Sequence, residues 1–526
     1  MDLGKEWSCT LVTLTCFACT AFLILRTLLK REGLTWLPMP HNASVLWGHE
    51  KTVFSMSAGM AYAQWLKDLN TNVLKIRGAL GNRDLLVLAD PFAVTHIMQR
   101  RIYDYPHSNV VRPRIARLLG KSLAWVEGEQ EHKRMRQLVA TSLAPEAIRR
   151  GAYNVHAAAD TLQERLQSHL ANKSGSMTIN VIDWTNQATL DVIGRFAFAH
   201  DFGGGIDQDA RKILSVWRNM AKAAISRKGL FVLMILRRFP FLNHLPLEAL
   251  LAQGNVRHTI REGIAKELIR RSQNLAVDDT DSNNLLSRLA SAHEARLITM
   301  DELMDHITTY IFAGSETSSQ TLGYALWELA KDPERQFRLR DECLSYAEPH
   351  ISYDDSQTKL PYLDAVVREI LRLHPALAYM ERVSVKEDIL PLRHPLVTPD
   401  GKQLRSIKIS AGQIVVIPIH TINRMDSVWG DGSAFRPERW LEEMPPRDIL
   451  SSGWSNVMSF GDGPRNCVGF RLALFQIKVL LMTLVRHFEF QDSGAIIVDK
   501  IASSMQPTVQ GQEELGPYLP ITVTAL

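Results

Sequence analysis

The residues best suited to chemistry lie in one short stretch, Phe460-Gly-Asp-Gly-Pro-Arg-Asn-Cys467-Val-Gly469. Three glycines and a proline specify a tight turn, and an apolar helical pattern follows at 472–485. A cysteine on a turn entering a helix meets backbone N–H donors and the positive end of the helix dipole. Both favour thiolate over thiol, so Cys467 is expected to have a lowered pKa and to bind a soft or borderline metal. No His/Cys cluster surrounds it in sequence, which excludes a structural zinc site. One thiolate on a metal fits haem iron, whose ring supplies the four equatorial bonds. The plainer alternative for a lone cysteine is a buried structural residue.

Four further segments hold charged or hydroxyl groups at suggestive spacings. Glu369 and Arg372 share a face of a periodic helix at 362–373, which His374-Pro375 ends. Such pairs are common on surface helices, so this one means little alone. The longest helical pattern runs over 299–331, with Thr299-x-x-Glu302 as a capping box and Asp332-Pro333 as its stop. Its middle reads Ala313-Gly314-Ser315-Glu316-Thr317-Ser318. Glycine costs a helix interior about 1 kcal/mol relative to alanine, so Gly314 is expected to mark a groove where another group nears the backbone. The Thr317 hydroxyl either bonds back to the Ala313 carbonyl or points into that groove. Glu131-His132-Lys133-Arg134-Met135-Arg136 reads by itself as a solvated basic helix face, and Phe435-Arg-Pro-Glu-Arg439-Trp440 as a turn.

Taken together these segments resemble the cytochrome P-450 enzymes. The Cys467 stretch matches the haem-binding signature F-x-x-G-x-R-x-C-x-G, whose five fixed positions arise by chance on the order of 10⁻⁴ times in a chain of this length. The resemblance implies haem b as cofactor, with Cys467 as axial thiolate and metal ligand. It implies that Phe460 packs near the sulfur, that Gly463 and Gly469 shape the loop, and that Arg465 pairs with a propionate. Arg136 and Arg382 match propionate-binding positions, and His132 stands where the family usually has Trp. The 313–318 segment is similar to the family's A-G-x-[DE]-T, so Gly314 borders the haem while Glu316 and Thr317 deliver protons for O–O cleavage. Glu369, Arg372 and Arg439 are implied to form a structural triad for folding and haem retention. The remaining basic residues near 133, with Arg471 and Lys478, are expected to form a docking face for an acidic electron donor.

These residues need elements to position them. The chain has 526 residues, 46% hydrophobic and 22% charged, which argues against a disordered or fibrous protein. A formal charge of +4, with no concentrated basic stripe, argues against a nucleic-acid binder. Neither a Rossmann fingerprint nor a Walker loop is present, so nucleotide is not expected to bind directly. Strand patterns at 73–79 and 85–89 suggest a hairpin, and others fall at 407–409 and 414–417, with helical patterns dominating 91–375. The expected fold is mainly α with small β-sheets, the cytochrome P-450 fold behind a single N-terminal transmembrane helix. Residues 7–25 carry no formal charge, and 19 residues span about 28 Å, close to a bilayer core. Basic residues follow the span, which places the body in the cytoplasm by the positive-inside rule. The expected divisions are 1–6 in the lumen, 7–29 as anchor, 30–45 as a linker stiffened by Leu37-Pro38-Met39-Pro40, and 46–526 as the haem domain. The resemblance, closest to microsomal enzymes of filamentous fungi, implies an endoplasmic-reticulum location.

The implied activity is hydroxylation or epoxidation of a lipophilic small molecule, using dioxygen and electrons from NADPH through a reductase, with cytochrome b5 as a second possible donor. Secondary metabolites such as terpenoids are the favoured substrates; housekeeping lipids and xenobiotics stand as alternatives. Isomerase or dehydratase chemistry and a non-catalytic haem sensor remain the other readings. Substrate contacts are expected from about 104–124, 201–247, 306–316, 376–380 and 503–505. The apolar run at 229–236, with Phe239 to Leu242 beyond, reads equally as core or as a membrane-dipping lip.

Overall fold

The computed structural model describes residues 34–171, 175–274, 284–449 and 452–526. The anchor expected at 7–29 therefore lies outside the described residues. Among those described, no helix is long and apolar enough to cross a membrane.

The principal helices are α1 (Val111–Leu118), α2 (Glu129–Ala140), α3 (Pro145–Ala171), α4 (Val181–Phe198), α5 (Gln208–Ile225), α6 (Arg227–Arg238), α7 (Glu248–Ile260), α8 (Met300–Lys331), α9 (Pro361–Leu373) and α10 (Phe470–His487). The strands are β1 (Val73–Ile76), β2 (Leu85–Leu88), β3 (Ser176–Asn180), β4 (Met380–Val383), β5 (Asp388–Val397), β6 (Gln403–Ile409), β7 (Ile414–Ile417), β8 (Phe488–Asp492), β9 (Ile497–Ile501), β10 (Met505–Val509) and β11 (Pro520–Ala525). Helix predominates and the sheets are small.

Helix α8 is the spine. Its 32 residues extend about 48 Å, and both halves of the Thr299–Glu302 capping box are formed. Asp332 closes it, and Pro333 opens the next helix. The spine can lie close to α4 because two glycines remove side chains between them. A Cβ at Gly314 would lie 2.7 Å from Ile193, and one at Gly323 would lie 2.6 Å from Ile182. The group that approaches the Gly314 backbone is thus the Ile193 side chain of α4. At Gly314 and at Gly323 the missing side chain makes room for an isoleucine of α4, while Gly314 itself stays partly uncovered. A single apolar cluster joins α3, α4, α8, α9 and α10 with strands β8 and β11.

The four-stranded sheet has the order β1-β2-β7-β4. The expected hairpin is present, with Val73 opposite Leu88 and Ile76 opposite Leu85. Both strands are buried throughout, which explains why their sequences, VLKI and LLVL, barely alternate. β7 adds parallel to β2, and β4 adds antiparallel to β7 with Arg382 opposite Val415. β4 thereby brings Met380 and Arg382 to the site. The β9–β10 hairpin pairs Ile501 with Met505, and its turn reaches α8. Ahead of the sheet, the proline joint is held firmly. Lys75 N–H donates to the Pro38 carbonyl at 2.9 Å, and Lys75 Nζ donates to the Thr35 carbonyl at 2.9 Å.

Candidate active site

The 460–469 stretch closes on itself through the Cys467 N–H, which donates to the Phe460 carbonyl at 2.8 Å. Gly463 has φ +65°, and a Cβ there would run into the Met98 carbonyl, so only glycine fits this corner. The Phe460 ring meets Trp454 at 5.4 Å and Phe470 at 5.9 Å, which braces the loop from outside. The Gly469 N–H, at the mouth of α10, is hydrogen-bonded to the Cys467 sulfur. Cys467 has accessible surface, yet it is enclosed deeply enough that burial governs its titration. The two facts agree if its open face meets an interior hollow rather than bulk water.

The lowered thiol pKa expected from the sequence does not hold for these protein groups alone. Burial raises it, and the Gly469 N–H and nearby Arg136 offset only part of that. The turn and the dipole are present as expected; desolvation outweighs them.

On one side of Cys467 stands a group of cations. Arg136 donates to the Asn466 carbonyl and to Asn466 Oδ1, both at 2.7 Å, so its two terminal nitrogens steady the residue before the cysteine. His132 is buried and lies 3.1 Å from the Tyr103 hydroxyl. Burial, then Arg465 and Arg136, push it down to about 4, so it is neutral at pH 7. Arg465 donates to the Val126 carbonyl at 2.9 Å and to Glu127 at 3.0 Å, while its Nε is buried without a partner. Arg382 is 6% exposed, and its Nε and Nη1 have no partner among the described residues. Burial and then Arg465 push its pKa down to about 10. Burial works against the Glu127 carboxylate, but His107 and Arg465 hold it at about 2. One carboxylate thus faces several guanidiniums.

On the other side, α8 is buried along most of its middle but leaves Ala313, Gly314 and Thr317 partly uncovered. These positions recur at i, i+1 and i+4 and form one narrow face. Thr317 Oγ1 donates to the Ala313 carbonyl at 2.9 Å, which selects the first of its two expected arrangements. Glu316 Oε1 accepts from Ser503 Oγ at 2.5 Å and from Gln506 Nε2 at 3.0 Å. Burial pushes Glu316 up to about 7, against the Ser503 and Ser504 hydroxyls and Arg114. Helix α10 is tied to the same place, for Gln476 Nε2 donates to the Gly314 carbonyl at 3.1 Å.

Glu369, Arg372 and Arg439 meet away from this hollow. Arg372 forks onto Glu369 with bonds of 2.9 and 2.8 Å, and Arg439 Nε donates to Glu369 Oε1 at 3.0 Å. Arg372 also donates to the Asn423, Gly432 and Ala434 carbonyls, and Trp440 Nε1 donates to Glu369 at 3.0 Å. The cluster fastens α9 to the chain that leads toward Cys467. Lys478, expected on an outward docking face, is 1% exposed and pairs with Asp364 at 2.7 Å. It turns inward because its position on α10 faces the core; Arg471 is exposed.

Comparison with known proteins decides the family. Residues 75–511 match the cytochrome P-450 family model. The chain is 32% identical to the cytochrome P-450 monooxygenases claQ and claP of Ampulloclitocybe clavipes, over 94% of each chain. It is 28% identical to cytochrome P-450 monooxygenase 205 of Postia placenta, over 93% of this chain and 92% of the relative.

This chain belongs to the cytochrome P-450 family.

It is therefore a monooxygenase, and the family's cofactor is haem held by a cysteine thiolate. Members of the family take electrons from a redox partner and act on a small molecule. The residues present fit the group. The Cys467 side chain is accessible, and the unpartnered guanidinium nitrogens of Arg382 and Arg465 are donors that two propionates could use. Arg112 falls in the 104–124 stretch expected to touch substrate, but its place near Arg465 was not foreseen; its guanidinium lies 4.0 Å over the Trp125 ring and adds positive charge there. Sequence reasoning also missed the pairing of His107 with Glu127, joined at 2.6 Å. No local motif marks them; only the return of β4 beside His107 does. Ser503 lies in the turn expected to touch substrate, but its bond to Glu316 was missed, as was Gln506, since the β9–β10 turn is distant in sequence from Glu316.

Proposed function

We propose that this cytochrome P-450 hydroxylates or epoxidises a lipophilic small molecule in fungal secondary metabolism, with electrons from NADPH passed on by a membrane reductase. The observation that carries this reading is Glu316, a buried acid poised at about 7 and held by Ser503 and Gln506 beside Thr317. Isomerisation and dehydration consume no dioxygen, so they need no protons for its reduction. The haem, when bound, supplies dioxygen activation and the oxidising equivalent. The chain's own part is positional. Cys467 would hold the haem iron through its thiolate, and Arg382 and Arg465 would receive the propionates. Glu316 holds a proton at its carboxyl, the Ser503 hydroxyl and Gln506 amide orient that carboxyl, and the Thr317 hydroxyl lies one residue on. Phe460 and Gly463 shape the loop beneath, and the Glu369–Arg372–Arg439 cluster keeps it in register.

The cellular setting belongs to the same proposal. Residues 7–29 anchor the chain in the endoplasmic reticulum with 46–526 on the cytoplasmic side, where reductase and cytochrome b5 are reached through exposed bases such as Arg471. An apolar rim supports membrane contact by the body as well. Phe241 is 67% exposed and Leu245 47%, next to α6, and Val45 and Leu46 are exposed beside Trp47, which meets Phe231 of α6 at 4.6 Å. The rest of the 229–236 run divides, since Met234 and Leu236 are buried in the core.

The test is a metabolite screen on membranes that contain this protein and a reductase. A lipophilic compound should gain one oxygen with matching NADPH consumption. Rearrangement without NADPH consumption would reject the reading.

A further inference from the structure

Helix α1 carries Arg112, Arg114 and Arg117 within six residues, in a stretch expected to contact substrate. Arg112 turns toward Trp125. The other two, one turn apart, point elsewhere. Arg114 Nη2 donates to the Ala502 carbonyl, in the β9–β10 turn next to Ser503, and the guanidinium lies near Glu316 and Tyr379. The Met505 N–H donates to the Ala376 carbonyl at 2.8 Å, which ties that turn to residues 376–380. Leu377 there keeps 43% of its surface uncovered. Arg114 thus lies where the oxidation site, the β9–β10 turn and the 376–380 segment converge.

Arg117 has only neutral acceptors. Its Nε donates to Gln253 at 3.1 Å, its Nη1 donates to Asn243 at 2.9 Å, and its Nη2 is buried without a partner among the described residues. Burial lowers the pKa of both guanidiniums, and Arg114 adds to the effect on Arg117. Among the described residues, no carboxylate hydrogen-bonds to either, and Glu316 is the acid near Arg114; it is already held by Ser503 and Gln506. Arg237 shows how this protein neutralises a structural buried arginine: it sits between Glu50 at 3.2 Å and Glu381 at 2.8 Å. Arg114 and Arg117, each partly covered, lack that balance, and desolvating a charge without a bonded counter-charge is costly.

We propose that Arg114 and Arg117 form the anion-holding end of the substrate site, so that the natural substrate is a lipophilic molecule bearing a carboxylate. The carboxylate pairs with the guanidiniums while the apolar body extends toward Cys467. This rests on the monooxygenase reading and narrows its substrate class. Arg114 and Arg117 act as specificity-determining residues and take no part in bond making.

The test uses the full-length protein loaded with haem. Reduction under carbon monoxide is recorded first; a thiolate-type Soret band in wild type and variants establishes the cofactor site and the fold. Dodecanoate and abietate, each against its methyl ester, are then titrated by the high-spin shift of the Soret band. Wild type should bind at least one acid about thirtyfold more tightly than its ester. Arg114→Gln and Arg117→Gln should each reduce that preference, the double variant should abolish it, and Arg114→Lys should restore part of it. A structural role alone would change stability without changing the acid-to-ester ratio. Equal binding of acid and ester, binding of neither pair, or a preference that survives in the double variant would overturn the proposal. A missing thiolate band in wild type would instead reject the haem reading beneath it.

Discussion

Cys467 illustrates what a local motif can and cannot foretell. The turn, the Gly469 N–H and the helix mouth are written in ten consecutive residues, and all three are present. Desolvation is not written there, because it comes from segments far along the chain, and it raises the thiol pKa instead of lowering it. Thiolate character then depends on the metal, since coordination deprotonates a thiol outright. Cys467→Ala should accordingly remove the thiolate-type Soret band under carbon monoxide; a retained band would place the ligand elsewhere. Glu316 makes a second prediction at this scale. Its pKa is raised, so it is protonated below about pH 7 and ionised above. Product formed per NADPH consumed should fall as the pH rises through about 7, with the lost electrons appearing as peroxide. Glu316→Gln should flatten that profile. An unchanged pH dependence in the variant would assign the titration to another group.

Helices α8 and α9 show two kinds of legibility. The Glu369–Arg372 pair and Arg439 were brought together only by the family resemblance of their two short segments, and the buried fork joins them directly. Breaking a buried pair leaves an unpaired charge, so Glu369→Ala should cost about 3–5 kcal/mol in denaturant unfolding and accelerate haem loss. The purpose of Gly314 was not readable, because its neighbour Ile193 lies more than a hundred residues earlier. Gly314→Ala should destabilise by about 1–3 kcal/mol through overpacking, and Ile193→Val should recover part of it by withdrawing the Cδ1 methyl that a Cβ would meet. A double variant no better than the single one would assign Gly314 to something other than helix contact. The same logic explains Lys478: a basic residue on an amphipathic helix reads as surface until Asp364 and the Ser356 carbonyl are found beneath it.

Across the whole molecule, the mixture of a long helical spine and small peripheral sheets followed from periodicity, whereas strand order did not. β2 and β7 pair in parallel across more than three hundred residues, and no local signal announces such a partner. The exposed rim at Phe241 and Leu245 carries the prediction at this scale. A chain beginning at Leu34 should still co-sediment in part with neutral-lipid vesicles, and Phe241→Asp with Leu245→Asp should release it. Undiminished sedimentation would mean that the rim does not touch lipid. The proline joint sets how far the body can stray. Lys75 clamps the chain at Thr35 and Pro38, so the proposed anchor, if it ends at residue 29, would stand at most about six residues, or about 20 Å, from the clamp. On so short a leash, the body of a chain anchored as proposed would neither roll freely nor stand off from the bilayer. Its entrance would sample the narrow layer where hydrophobic metabolites partition, and the local concentration there, rather than that in the surrounding fluid, would set the rate of substrate capture.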